Sequence, residues 1–166
     1  MRTLTQDELN EVLEKHKHWL KHDCDNWENL CANLRGANLR GADLCGAYLR
    51  GAKNIPFVPM ACPCTGQFTV WKTAHGMIIK LLIPEEAKRS SATGRKCRAD
   101  KAIVIAIENE DGTPSYMSEI CSNYDGSFVY KVGEEVSVGN FDENRFNECA
   151  PGIHFFINRQ EAVDYQ

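Results

Sequence analysis

Residues 27–54 read WENLCANLRGANLRGADLCGAYLRGAKN, and a five-residue period in this stretch decides the fold of the N-terminal part of the chain. Through residues 32–51, leucine holds one phase of the period, with alanine two residues before it and glycine two residues after it. An α-helix has 3.6 residues per turn and would scatter the leucines, and each glycine inside it would cost about 1 kcal/mol relative to alanine. A chain that turns every five residues instead directs the leucines and alanines inward. The stretch therefore predicts a square solenoid around Leu34, Leu39, Leu44 and Leu49.

The other positions of the repeat are mostly polar, which places them on the outside of such a solenoid. They are Asn33, Arg35, Asn38, Arg40, Asp43 and Arg50. Cys31 and Cys45 fall on the arginine phase, so we expect them at outward positions as well. The net charge of residues 27–54 is +2.

The repeat resembles the pentapeptide-repeat family, whose chains form a right-handed quadrilateral β-helix with four pentapeptides per coil. The resemblance implies about one coil over residues 27–55. Long members of the family mimic DNA and bind topoisomerases through an acidic column, and the net charge of +2 argues against DNA mimicry here. A single coil leaves unpaired strand edges at its ends, so we expect a cap on the coil and consider a homodimer formed through it.

The N-terminal residues 1–26 are predicted to supply a capping helix. Thr5 and Glu8 have the spacing of a capping box, which predicts a helix beginning at Gln6. Apolar side chains then recur at three- and four-residue steps along one stripe, formed by Leu9, Val12, Leu13, His16, Trp19 and Leu20. We expect this stripe to cover one end of the coil.

Residues 56–65 contain Pro56, Pro59 and Pro63 and read as a connector, after which residues 66–166 form a strand-rich α+β domain. Runs of β-branched and aromatic residues predict six strands, at 68–71, 77–83, 102–108, 128–131, 135–138 and 153–157. Two short helices are predicted, one from Pro84 to Lys88 and one at 159–165 with Asn158 and Glu161 as its capping box. The fold class is therefore α+β.

The C-terminal region also resembles a domain of unknown function that follows short pentapeptide runs in bacterial and phage proteins. The resemblance rests on the words IPEEAKRSSATGRKCRADKA and DGSFVYKVGEEVSVGNFDENRFNECAPGIHFFINRQEAVDY. It implies a phage-related accessory protein acting in the cytoplasm of a bacterial host or phage-infected cell, and a module that antagonises a host defence fits that setting.

A basic segment at residues 88–101 is the most concentrated charge in the chain. It holds six Lys or Arg and one Asp, a net +5, so the remaining residues sum to −9. Guanidinium forks and serine hydroxyls bind phosphate oxygens well, and the absence of an aromatic residue argues against nucleic acid. The segment predicts an anionic partner, either a protein or a phosphate-bearing ligand. The candidate residues are Lys88, Arg89, Ser90, Ser91, Arg95, Lys96, Arg98 and Lys101, and a solvated basic loop is the alternative.

His154 is a second candidate because strand alternation can place its ring in a cleft. The segment around it is loosely similar to the second signature of ADP-ribosyltransferases, with His75-Gly76 in the place of that family's first His-Gly pair. The similarity implies a degenerate relative or a small enzyme acting on a nucleotide or NAD. The catalytic glutamate of those enzymes lies well downstream of this strand, whereas Glu161 lies on the last predicted helix.

The cysteine and histidine spacings favour neither a metal site nor a catalytic thiol. His18 and His22 stand four residues apart, but no second ligand pair follows them at the spacing of a zinc finger, which favours a solvated helix end. Cys97 among cations, and Cys149 near His154, are weak candidates for a reactive thiolate. We expect the eight cysteines to be reduced, and we predict no cofactor.

The length of 166 residues allows one domain, or a small module and one domain. No run of 18 apolar residues occurs, and several charged side chains lie between Met1 and Leu20, so we predict a cytoplasmic protein with no membrane partner. Together these features favour a non-enzymatic binding module that engages an anionic partner through residues 88–101.

Overall fold

A computed structural model of the chain describes residues 4–39, 42, 44, 49 and 52–165. They form an α+β structure, as the sequence predicts. The helices are α1 (Gln6–Lys21) and α2 (Arg159–Val163), with a 3-10 turn at Trp27–Asn29. The strands are β1 (Phe68–Ala74), β2 (Met77–Ile83), β3 (Arg89–Ser91), β4 (Cys97–Ala99), β5 (Lys101–Glu108), β6 (Glu119–Cys121), β7 (Val129–Lys131), β8 (Glu135–Ser137) and β9 (Ile153–Phe155).

The chain divides into two compact units, and the first unit draws on three separate segments. These are Met1–Pro59, Ala92–Gly94 and Asn144–Cys149. The second unit consists of Met60–Ser91, Arg95–Glu143 and Ala150–Gln166. The sequence did not indicate that two short later segments join the N-terminal unit.

Helix α1 begins where the capping box places it. The Thr5 hydroxyl oxygen accepts a hydrogen bond from the Glu8 N–H at 3.2 Å, and the Glu8 carboxylate accepts one from the Thr5 N–H at 2.8 Å. Both bonds satisfy backbone donors that lack a partner inside the helix. The helix ends at His22, whose φ of 55° is left-handed and whose N–H donates to the His18 carbonyl at 2.9 Å.

The repeat leucines lie inside the first unit, as the five-residue period predicts. Leu34, Leu39, Leu44 and Leu49 are at most 3% exposed and share one apolar cluster with Leu9 of α1. A turn bond recurs with the same period, from the N–H of each following alanine to the leucine carbonyl, at the pairs 34/37, 39/42 and 49/52. The outward positions Asn33, Arg35 and Asn38 are exposed. Arg40, Asp43, Cys45 and Arg50 lie outside the described residues.

Two further contacts hold the first unit together. The buried His16 ring of α1 accepts a hydrogen bond through Nδ1 from the Ala32 N–H at 3.3 Å, so the helix is tied to the start of the repeat by a polar bond as well as by apolar packing. The Thr93 hydroxyl donates to the Ala42 carbonyl, and Phe146 packs against the leucine cluster. The later segments thus contribute to the core that the repeat builds.

The second unit is built on a four-stranded antiparallel sheet in the order β1-β2-β5-β8. β1 and β2 form a hairpin whose turn is His75-Gly76, with φ of 48° and 75° at the two positions. Two successive residues with positive φ are what a type I′ hairpin turn requires. The core of the unit includes Val70, Ile79 and Phe155, which are fully buried.

A three-stranded sheet in the order β3-β4-β9 and the two-stranded pair β6-β7 complete the second unit. The sequence predicted neither β3, β4 nor β6. The predicted helix from Pro84 to Lys88 is wrong, because the segment makes only a turn in which the Ala87 N–H donates to the Pro84 carbonyl at 3.2 Å. Helix α2 ends at Val163, two residues before the predicted end.

Candidate anion-binding site

Parts of the basic segment enter a β-sheet, and residues 92–96, with the exposed Arg95, form the connection between its two strands. Residues 89–91 are β3 and residues 97–99 are β4, paired antiparallel with Arg89 opposite Ala99. The Arg89 guanidinium donates to four backbone carbonyl oxygens, those of Gly66, Pro84, Glu85 and Ala87, at 2.6 to 3.0 Å. Its role in this fold is to hold the turn before β3.

Arg98 is buried in the middle of the three-stranded sheet. Its Nη1 donates to the carbonyl oxygens of Asp142 and Pro151, and its guanidinium lies 5.0 Å from the ring centroid of Phe141. Burial lowers the pKa of Arg98, and the nearby Asp142 carboxylate opposes that shift. The contacts fasten the segment before β9 to β4.

Lys88 and Arg95 form exposed ion pairs within the second unit. The Lys88 ammonium pairs with Glu143, and Arg95 Nε donates to Glu161 at 2.6 Å. Each carboxylate raises the pKa of its cation, mainly through the hydrogen bond. Lys101 begins β5 and is half-buried.

The two serines of the segment differ in their contacts. The Ser91 hydroxyl oxygen accepts a hydrogen bond from the Ala61 N–H at 2.7 Å. Ser90 is 4% exposed, and its hydroxyl has no hydrogen-bond partner among the described residues. Strand register sets Ser90 opposite Arg98, and Arg98 opposite His154, so the three side chains share one face of the sheet.

Lys72, Lys96 and His154 form a group of basic side chains that we call the lysine–histidine cluster. Burial lowers the pKa of His154 to about 4, and the charges of Lys96, Lys72 and Arg98 add to that effect. The His154 Nε2–H donates to the Ala150 carbonyl at 3.0 Å and opposes the shift. The ring is therefore neutral at pH 7.

Lys72 is the member of the cluster that the sequence analysis missed. It lies on β1 and shares a face with Val70 and Ala74, both fully buried. Burial lowers its pKa to about 8, and the charge of Lys96 contributes to that shift. Its Nζ lies 5.8 Å from the ring centroid of Tyr130. The sequence pattern that could have indicated Lys72 is a lysine between two apolar residues on the same face of a strand.

The positive charges of the cluster lack a carboxylate partner among the described residues. In the parts of the chain that the structure describes, neither Lys72 nor Lys96 has an Asp or Glu oxygen within 4.0 Å. Lys96 Nζ instead lies 5.7 Å from the ring centroid of Tyr165. The ammonium groups of Lys72 and Lys96 repel each other, so an anion bound between them lowers the energy of both. The arrangement is suited to a small oxyanion.

His75, which was compared with the first ADP-ribosyltransferase signature, and Glu161, which was predicted to cap the last helix, both make local contacts. His75 is the first residue of the β1–β2 turn, and its N–H donates to Asn123 Oδ1 at 2.8 Å. The Asn158 side chain accepts a hydrogen bond from the Gln160 N–H, so Glu161 is not its capping partner as predicted. Glu161 pairs with Arg95 instead.

The cysteines singled out as candidate nucleophiles do not present an activated thiolate. Cys97 is 1% exposed, and a hydrogen bond with Cys62 followed by burial raises the pKa of its thiol, so the expectation that nearby cations lower that pKa is wrong. In the first unit, Cys149 is disulfide-bonded, so the prediction of eight reduced cysteines is wrong there.

Two protein families match the chain. A family of unknown function, DUF5758, matches residues 58–162, and the family described as pentapeptide repeats (8 copies) matches residues 31–53. Both resemblances drawn from the sequence are thereby confirmed. No curated protein and no solved structure matches the chain. Among the described residues, neither helix combines the length and apolar character that a membrane crossing requires.

Proposed function

The chain belongs to the DUF5758 family of unknown function, and on that premise we propose that it is a non-enzymatic binding module whose second unit binds a phosphate-bearing ligand at the lysine–histidine cluster. The observation that carries the proposal is Lys72, a half-buried ammonium on the core-facing side of β1 with Lys96 nearby and no described carboxylate beside it. A bound dianion supplies the negative charge that no described carboxylate provides there.

The cluster also meets the chemical needs of such a ligand. Lysine ammonium groups bind phosphate as point charges. The neutral His154 ring, whose Nε2–H donates to the Ala150 carbonyl, borders the site without adding a charge. The Ser90–Arg98–His154 row leads to the cluster across one sheet face. Lys96 is the residue that links the cluster to the basic segment 88–101. Arg89 and Arg98 act as structural supports of that segment, since both bind backbone carbonyls.

A thermal-unfolding screen tests the proposal. Wild type is measured with phosphate, pyrophosphate, ADP, NAD and an acidic peptide against chloride at equal ionic strength. A ligand at 100 times its Kd stabilises the folded state by about 2.7 kcal/mol. Lys72→Met and Lys96→Met are expected to lose the ligand-dependent rise in Tm. Lys88→Gln is the matched control, because it removes one lysine charge that Glu143 already neutralises.

The pattern of shifts decides the outcome. Loss in both cluster variants with retention in Lys88→Gln supports the site. Equal shifts in all four proteins, or no shift with any phosphate compound, overturn it. A shift with an acidic peptide and none with phosphate compounds would assign the surface to a protein partner instead.

We further propose that the repeat forms one coil of a quadrilateral β-helix. Asn33 and Lys53 form a parallel bridge, and the two positions are four pentapeptides apart in the chain. Two backbone bonds join the same levels, from the Leu34 N–H to the Lys53 carbonyl at 3.0 Å and from the Lys53 N–H to the Ala32 carbonyl at 2.7 Å. Stacking after four pentapeptides is what one four-sided coil requires.

Cysteine cross-linking tests the coil. Asn33→Cys combined with Lys53→Cys is expected to give a cross-link between the two positions, because bridged residues have the Cα separation that a disulfide needs. Asn38→Cys combined with Lys53→Cys is the control, since those positions are three pentapeptides apart and fall on different sides of the coil. Peptide mapping identifies the linked pair. Equal cross-linking in both double variants would contradict the coil.

A further inference from the structure

The C-terminal end of α1 brings together three different metal-ligating side chains. His18 Nδ1 lies 2.7 Å from Asp23 Oδ1, and the ligand atoms of His18, Asp23 and Cys24 all lie within 4.8 Å of one another. Cys24 is a free thiol, and all three residues are partly exposed, so an ion from solvent reaches them.

The left-handed cap of the helix creates this arrangement. At His22 the backbone has a φ of 55°, so the chain reverses and carries Asp23 and Cys24 back beside His18, one turn earlier in the helix. The His22 ring stacks on Trp27 instead, with 3.7 Å between the ring centroids. The two histidines that the sequence sets four residues apart are therefore not the ligand pair.

We propose that the end of α1 binds one Zn²⁺ through His18, Asp23 and Cys24. Zinc takes imidazole nitrogen, thiolate sulfur and carboxylate oxygen in tetrahedral sites, whereas Ca²⁺ and Mg²⁺ take oxygen ligands. Asp23 and Cys24 line a concave surface together with Asp25 and Glu28, whose carboxylates add negative charge beside the three ligands. Water completes the tetrahedron as the fourth ligand. Binding converts the Cys24 thiol to a thiolate and releases its proton to solvent.

This site is separate from the proposed anion site, because all of its residues belong to the first unit. A metal at this position joins the last turn of α1 to the segment that leads into the 3-10 turn at Trp27–Asn29 and then into the repeat. Zinc binding is therefore expected to stabilise the first unit. Metal binding at this end of α1 does not depend on what the second unit binds.

A titration of the full-length chain with Co²⁺, with the Cys149 disulfide left intact, tests the proposal, since Co²⁺ replaces Zn²⁺ and is visible in absorption. Wild type is expected to bind one Co²⁺ per chain, with a thiolate-to-cobalt charge-transfer band and the visible bands of a tetrahedral ion, and Zn²⁺ is expected to displace it. Zinc is also expected to raise Tm in a concentration-dependent way.

Two variants test proposed ligands, and a third variant is the control. Cys24→Ser is expected to abolish the charge-transfer band, and His18→Gln to weaken Co²⁺ binding at least about 10-fold. Cys64→Ser is the matched control, because Cys64 is an exposed free thiol outside the cluster, and it is expected to bind as wild type does. Circular dichroism confirms that each variant is folded. Absence of the band in wild type, or its persistence in Cys24→Ser, overturns the proposal.

Discussion

Two groups of cations in the second unit differ in how their charge is compensated. One group lies on β3 and its flanks, and the other is the lysine–histidine cluster. Lys88 and Arg95 pair with carboxylates, and Arg89 is enclosed by carbonyl oxygens. Lys72 and Lys96 have neither kind of compensation within the described chain. The density of cations along a sequence therefore does not locate an anion site. The proposed site lies instead where two lysines have no carboxylate among the described residues within 4.0 Å.

Loss of Arg89 is expected to have the largest effect. Arg89→Met leaves four carbonyl oxygens without their donor and is expected to lower the free energy of unfolding by about 3–5 kcal/mol. Arg89→Lys keeps the charge but lacks the planar fork, so it is expected to recover only a small part of that loss. Urea unfolding measures both. Full recovery of stability in Arg89→Lys would show that charge alone matters at this position, and it would contradict the role of the guanidinium as a donor to four carbonyl oxygens.

Loss of Lys72 is expected to have the opposite sign. Because burial penalises its charged form, Lys72→Met is expected to stabilise the folded state at pH 7 by about 1–2 kcal/mol. This value is smaller than the full pKa shift implies, because the residue is not fully buried. Urea unfolding without added phosphate measures the change. Destabilisation in Lys72→Met would indicate that a protein group already compensates the ammonium.

The pH dependence of wild type sharpens the same point. The pKa of Lys72 is about 8 in the folded state, below its ordinary value of 10.5, so the unfolded state binds more protons between these values. Stability from this residue therefore rises as pH increases from about 8 to about 10.5, and its cost is fully present below pH 8. Lys72→Met is expected to flatten this part of the unfolding profile. An unchanged profile would contradict the lowered pKa.

His154 is expected to act at lower pH. Its folded pKa of about 4 lies below the ordinary 6.5, so the unfolded state again binds more protons, and stability from this residue falls as pH decreases from about 6.5 to about 4. His154→Gln is expected to reduce that slope. His75→Asn is the control, because asparagine tolerates the left-handed turn position that the exposed His75 occupies. Equal slopes in the two variants would argue against a buried, neutral His154.

The smallest effect is expected at Lys88. Its ion pair with Glu143 is exposed, with 60% and 70% of the two side chains accessible, and exposed pairs contribute little to stability. Lys88→Gln is expected to leave Tm close to that of wild type at physiological salt, as differential scanning calorimetry would report. A large decrease in Tm would place Lys88 among the structural cations with Arg89.

Local patterns predicted the parts of the fold whose causes are local. The capping box located the start of α1, and the five-residue period identified the buried leucines, because both follow from contacts between residues near each other in the chain. Strands β3 and β4 were missed, since they are three residues long and read Arg-Ser-Ser and Cys-Arg-Ala. Their pairing with each other and with β9 is what makes them strands.

The candidate site was predicted only in part for a related reason. His154 and Lys96 were named from the sequence, but Lys72 was not, because its significance depends on which face of β1 is buried and on the approach of Lys96, which precedes β4. The clustered cations at 88–101 predicted the site from the sequence. Glu143, which pairs with Lys88, and Glu161, which pairs with Arg95, lie 55 and 66 residues away from these partners in sequence. Compensation of charge is set by tertiary contacts.

The most direct test of the proposed anion site is the pKa of the Lys72 side chain, measured by heteronuclear NMR with and without sulfate. Sulfate is chosen because its charge does not change over the pH range of the titration. We expect a pKa of about 8 without the ion and a value closer to the ordinary 10.5 in its presence, because a bound dianion stabilises the ammonium. The same pKa in both conditions, with Lys96 also unchanged, would contradict an anion site at the lysine–histidine cluster.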